Sequence, residues 1–269
     1  MSLFQSLGNH ISKTIATLGL GLALVSGSAF AEENQTLDEA YQILVNSYYS
    51  INGFYNFSAN QADKQQNEII QDSIDNIDSL IESLGDSFVD TPQAEAVTDA
   101  KEKWQAYRKK LSQNVKEVEK TGYPDLRLAG DMANSNIAFN DAITNLYDTI
   151  SAQSKPSEMI QTAYDASTML ALMMTKYSAR STSTVSQAYS SGDADITIDA
   201  LAIQFEQKLD NLTQLTKNNE EAVQLMDSAR TQWDFIKRSY INYNENRVNF
   251  IVNLYSKKII SNIVDSVKG

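Results

Sequence analysis

The sequence predicts an all-α chain arranged as two tandem up-down-up-down four-helix bundles that descend from an internal duplication. Apolar residues recur at alternating spacings of three and four through eight stretches, the period of a helix that buries one stripe. Strand signals are sparse, with no sustained period-two alternation and only 10 glycines and 3 prolines in 269 residues. The phrase AKEKWQAYRKK at 100–110 returns as ARTQWDFIKRS at 229–239, and these stretches hold both tryptophans of the chain. Long-range self-similarity of this kind is the mark of a repeated unit.

The chain opens MSLFQSLGNHISKTIATLGLGLALVSGSAFA, a weakly basic start at Lys13, an apolar run from Ile15 to Val25, and small residues at Ala29 and Ala31. That pattern predicts a signal peptide over 1–31 and a periplasmic destination. The run is shorter than the roughly 20 apolar residues a spanning helix needs, and no later stretch is apolar enough to span. Removing that segment leaves roughly 240 residues, enough for one large or two modest domains.

In the first set, residues 32–154, the four stripes are Leu37, Tyr41, Leu44, Tyr48, Ile51, Tyr55; then Ile70, Ile74, Ile77, Ile81, Leu84; then Val97, Ala100, Trp104, Tyr107, Leu111; then Ala129, Met132, Asn136, Phe139, Ile143, Leu146, Ile150. Thr36 and Glu39 have capping-box spacing before the first stripe. Asn136, on an otherwise apolar face, has the place of a residue that fixes register. The second set, 155–269, begins after Ser154-Lys-Pro156 and repeats the pattern with Ala163, Ser167, Leu170, Met174, Tyr177; Leu201, Phe205, Leu209, Leu212; Ala229, Trp233, Ile236, Tyr240; and Val248, Val252, Tyr255, Ile259. Each of Pro92, Pro124 and Pro156 stands just before a helical pattern, where proline suits the first turn.

Composition excludes more chemistry than it suggests. The single histidine, His10, lies in the signal segment and the chain has no cysteine. Triads built on histidine or cysteine, thiolate chemistry, disulfides and His/Cys zinc sites are therefore excluded from the mature chain, and no metal or cofactor is expected. The net charge of −12 disfavours nucleic acid, whose affinity rests on cationic contacts. SGDADITID at 191–199 faintly resembles a calcium loop, but Ile198 and Gln204 occupy the required glycine and glutamate positions, so a polar turn is expected. The basic runs Arg108-Lys109-Lys110, Lys237-Arg238 and Lys257-Lys258 fit solvated helix faces.

Two places remain for recognition. The first helix is rich in aromatics; Tyr48 and Tyr55 lie on its stripe, while Tyr49, Phe54 and Phe57 lie off it. Tyrosine buries its ring while keeping a polar handle, which suits packing, a partner surface or a ligand pocket. In STMLALMMTKYSARSTSTVS, 167–186, Met173, Lys176, Tyr177 and Arg180 bring cationic groups beside soft apolar surface, a place for a carboxylate or other small anion, or for a salt bridge at the rim.

The serine- and methionine-rich MLALMMTKYSARS and the closing YNENRVNFIVNLYSKKIISNIV, within a secreted chain of repeated four-helix units, resemble the periplasmic sensor modules of type IV pilus chemotaxis transducers and their nitrate-sensor relatives. The resemblance implies anion binding by arginines of the helix that opens a module. Met169-Leu170 matches the methionine-leucine centre of that helix's motif, whereas Ala171, Leu172 and Met173 replace its serine, glutamine and arginine. Arg180 is left as the anion contact, and 37–58 contains no arginine or lysine, which disfavours nitrate. The transducers also possess spanning helices and a cytoplasmic signalling region, for which no segment is found here.

The sequence thus leads to a non-catalytic, periplasmic binding or sensory accessory protein that recognises a small anionic or aromatic ligand, or an inner-membrane signalling or envelope partner. The alternative is an envelope-assembly scaffold that binds no small molecule.

Overall fold

The computed structural model describes residues 35–60, 62–181, 196–244 and 248–268. The expected signal peptide, 1–31, and most of the expected turn at 191–199 lie outside these. Among the described residues the regular elements are eight helices, with no strand: α1 (35–59), α2 (Lys64–Ser87), α3 (Ala94–Thr121), α4 (Leu126–Ser154), α5 (Glu158–Ser181), α6 (Ile198–Leu215), α7 (Glu220–Ile241) and α8 (Asn249–Lys268). No helix among them is long and apolar enough to cross a membrane.

The helix ends are set by local chemistry. Asp63, Asp125 and Asn219 accept the amides of Gln65, Leu128 and Ala222 at the starts of α2, α4 and α7, and Ser157 accepts that of Ile160 in α5. Gly122, at φ 81, closes α3 in the left-handed conformation that glycine adopts without cost. The prolines differ from expectation. Pro92 and Pro124 each precede the N-cap by one residue, and Pro156 precedes the capping Ser157, so they shape the entry to the helix; Asp125 and Ser157 then form side-chain caps, whereas Gln93 does not. The capping box also differs, because position 36 is already helical and Glu39 Oε1 instead accepts from Gln35 and Ser83.

The stripes read from the sequence form the core, with two exceptions in α8: Val248 is exposed, and Tyr255 is only half-buried against the core. In α8 the buried face is Val252, Ser256, Ile259, Ile260, Ile263 and Val267, whereas Val248 precedes the first turn. Trp104 and Trp233 are both buried, the first beside Tyr107 and Phe139, the second against Phe205 and Tyr240. Asn136 is fully buried, donating to Ser47 Oγ at 2.8 Å and accepting from Asn140 at 3.1 Å.

Each of α5, α6 and α7 packs against the helix that comes after it, and α8 returns to α5, closing a ring. Contacts between neighbours run antiparallel: Glu206 meets Lys237 while Asp210 meets Arg230, and Tyr240 meets Ser256 while Ser228 meets Asn262. In the first half α3 packs on α2 and α4, and α1 reaches α2, α3 and α4 through the pairs Glu39–Ser83, Ser50–Tyr107 and Ser47–Asn140.

Two helices are enclosed on nearly all sides. Residues 50–57 of α1 and 173–179 of α5 are buried without interruption. From residue 40 to 59 α1 carries no charged side chain, so burying its whole circumference incurs no ionic desolvation. The two run parallel, since Asp38 and Tyr41 meet Tyr164, Tyr48 meets Thr175, and Asn52 meets Met174 and Ser178, climbing both helices together. They form a seam between the halves, and α8 crosses α1 antiparallel along it, from Asn253 at Asn56 to Lys268 at Asp38.

Candidate functional site

Among the described residues, three clefts open along this seam. One, of about 460 Å³, lies between α1, α4, α5 and α6. Its aromatic wall is Tyr41 stacked on Tyr164, with ring centroids 4.0 Å apart and planes 6° from parallel. The stack is held in place by the Tyr164 hydroxyl, which donates to Asp38 Oδ1 at 2.7 Å. Tyr147 of α4 forms a third side, and its hydroxyl is buried without a hydrogen-bond partner among the described residues. Leu44, Met169, Leu172 and Leu201 supply an apolar floor.

Charge sits at the rim of this cleft. Lys208 of α6 pairs with Asp165 at 3.1 Å, and Asp148 of α4 lies nearby. Desolvation, and then the negative charge of Asp165, push the Asp148 carboxyl above its usual range. Burial drives the phenols of Tyr41, Tyr147 and Tyr164 above theirs, so all three stay neutral hydrogen-bonding groups at any physiological pH. An apolar pocket with a few convergent polar groups is the usual form of a small-molecule site.

The opposite side of the seam is rich in amides. Asn52 Nδ2 lies 2.9 Å from Ser178 Oγ, 3.0 Å from Asn253 Oδ1 and 3.1 Å from the Met174 carbonyl, and Asn56 Nδ2 donates to the Asn52 carbonyl at 2.9 Å. A cleft of about 460 Å³ lies beside this network between α1, α2 and α8, and another of about 420 Å³ between α1 and α8. Lys257 lines both, its ammonium 4.8 Å from the centre of the Tyr49 ring. Burial lowers its pKa, so the expected solvated face at Lys257-Lys258 holds for Lys258 alone.

The six residues singled out from the sequence lie together on α1 and α5 but line none of these clefts. Met173 and Tyr55 are fully buried. Tyr177 is buried edge-on to Tyr240, and its hydroxyl accepts the Val248 amide. The Tyr48 ring is buried while its carbonyl accepts from Thr175. Lys176 is buried and donates to the Ile196 carbonyl at 2.7 Å. Only Arg180 keeps an exposed head group, over the Tyr243 ring at 4.3 Å and bonded to Asn244. The off-stripe aromatics Phe54 and Phe57 are core residues of the enclosed helix.

Sequence reasoning did not single out Tyr147, Tyr164, Asp148, Asp165 or Lys208, which come from three helices and meet only in the fold. Among the described residues no group of three or more acidic side chains is placed to hold a metal ion. No family model, no curated protein and no solved structure matches this chain.

Proposed function

We propose that the chain is an exported, non-catalytic recognition protein of the periplasm, built as two tandem up-down-up-down bundles from a duplicated unit, which takes a small ligand at the seam between them and presents the result to a membrane-bound partner. The tyrosine-walled cleft between α1, α4, α5 and α6 carries this reading. Its stacked rings and apolar floor suit a flat, aromatic-bodied molecule, and the unpartnered Tyr147 hydroxyl offers one hydrogen bond to that molecule's edge. The antiparallel neighbours and the matching tryptophan positions on α3 and α7 support the duplication. A kinship with the sensor modules of type IV pilus transducers belongs to the same proposal and rests on the stretches MLALMMTKYSARS and YNENRVNFIVNLYSKKIISNIV.

A thermal-shift screen of small aromatic molecules tests the proposal, because a ligand at 100 times its dissociation constant adds about 2.7 kcal/mol to stability. Tyr147→Phe should reduce the response to the best of them with the unliganded transition little changed. If no aromatic moves the transition, the cleft is not the site. An anion-dependent shift that disappears in Arg180→Ala would move recognition to the exposed end of α5. The scaffold alternative is favoured by Phe235 and Phe250, exposed on α7 and α8 at 62% and 71%, and it predicts a co-purifying envelope protein with no ligand response at all.

A further inference from the structure

Lys257 poses a physical problem that the fold does not resolve by itself. Its side chain is largely withdrawn from water, yet it forms no ion pair with any described carboxylate, and the Tyr49 ring is its one partner among the described residues. A withdrawn ammonium without a counter-charge is costly, and a cation–π contact offsets only part of that cost. The cleft between α1, α2 and α8 opens onto this group, and among the described residues Lys257 is the only charged side chain that lines it. The neighbouring α1–α8 cleft differs, holding Asp265 and Lys268 as well.

The remaining polar lining is amide. Asn253 is tied into the seam network, while the side chains of Asn60, Gln65 and Gln66 make no hydrogen bond among the described residues. An amide both donates and accepts, which matches a hydroxyl, also donor and acceptor, better than it matches a second charge. Phe250, exposed at the same cleft, supplies a flat apolar surface.

We infer that this cleft is a second binding site, for a small hydroxylated carboxylate, with Lys257 pairing the carboxylate and the amides of Gln65, Gln66 and Asn60 receiving the hydroxyls. The site shares no residue with the tyrosine cleft and stands or falls independently of it.

The test uses D-glucuronate as probe, with D-glucose and acetate as partial probes, in thermal-shift and calorimetric titrations of the full exported chain at neutral pH. Glucuronate should raise the transition, and each partial probe should bind at least tenfold more weakly. Lys257→Met keeps the apolar stem and removes the desolvated charge, so it should fold with an equal or higher transition and lose at least tenfold in glucuronate affinity. Arg180→Ala should leave that affinity unchanged. An absent glucuronate response, or an equal response in Lys257→Met, overturns the site. Acetate binding as well as glucuronate overturns the hydroxylated body, and glucose doing so overturns the carboxylate.

Discussion

Trp104 and Trp233 occupy matching positions of the repeated phrase, and the structure treats their indole N–H groups differently. Trp104 Nε1 donates to Asp78 Oδ1 at 2.7 Å, while Arg108 holds the other carboxylate oxygen at 2.9 Å. Trp233 Nε1 is buried with no partner among the described residues. Replacing either by phenylalanine removes the same ring volume, so the cavity costs are of similar size and largely cancel in the comparison. At Trp104 the change also removes a hydrogen bond to a charged group, generally about 1.5–3 kcal/mol, and the lower end applies because Arg108 remains and Asp78 is 35% exposed. At Trp233 the change removes a buried, unpaired donor and recovers part of a penalty of about 1–3 kcal/mol. Trp104→Phe should therefore be the less stable variant by about 2–3 kcal/mol, a separation of roughly 4–12 °C in Tm for a chain of this size. Thermal and urea unfolding followed by far-ultraviolet circular dichroism measure the gap. Equal losses, or a larger loss in Trp233→Phe, would refute the assigned hydrogen bonding.

Ser47 donates to Asn140 and accepts from Asn136 inside the first half, so Ser47→Ala leaves both amides short of a partner and should cost about 1–3 kcal/mol in urea unfolding, far more than one surface hydroxyl. Eight tyrosines, residues 41, 48, 49, 55, 107, 147, 164 and 240, have folded pKa values raised by burial. Their stabilising effect is fully present below the unfolded phenol value of about 10 and is lost above it as the unfolded chain alone releases protons, so tyrosinate absorbance should rise cooperatively with loss of helix instead of ahead of it. The raised Asp148 carboxyl acts in the same direction at lower pH: its ionised form is disfavoured in the fold at neutral pH, and that penalty fades as pH falls through the carboxylate range. Asp148→Asn should thus be slightly stabilising at pH 7 and neutral near pH 3, as pH-dependent melting would show.

The core was legible because burial tracks the helical period, and every stripe residue except Val248 and the half-buried Tyr255 of the eighth lies where the spacing put it. Asn136 was legible for the same reason: a polar residue on an apolar stripe must find partners, and it does. The enclosed character of α1 had a signal too, the absence of any charge from 40 to 59, which suits a helix enclosed on nearly all sides. Lys257 could have been separated from Lys258, since Asn253, Ile260 and Val264 place it on one face by their spacing of three and four, whereas Lys258 turns outward. The clefts were not legible. Tyr41 meets Tyr164, and Lys257 meets Tyr49, across separations in the chain that no local pattern encodes, because the packing of one half against the other decides them.

All three clefts share one wall. Tyr41 and Leu44 face the tyrosine cleft, Tyr41, Asn46 and Tyr49 the α1–α8 cleft, and Asn52 and Asn56 the amide cleft, so each draws on α1. The topology is the cause: the parallel α1 and α5 occupy the middle, and a helix enclosed by neighbours reaches solvent only where those neighbours part along the seam. Two molecules bound on opposite sides would touch the same helix. That helix is joined to α5 and α8 by the Asn52, Asn56, Ser178 and Asn253 network, whose hydrogen bonds tie its position to both halves. Any displacement of α1 by one ligand must therefore alter the cleft offered to the other, which is the physical requirement for coupling between distinct sites.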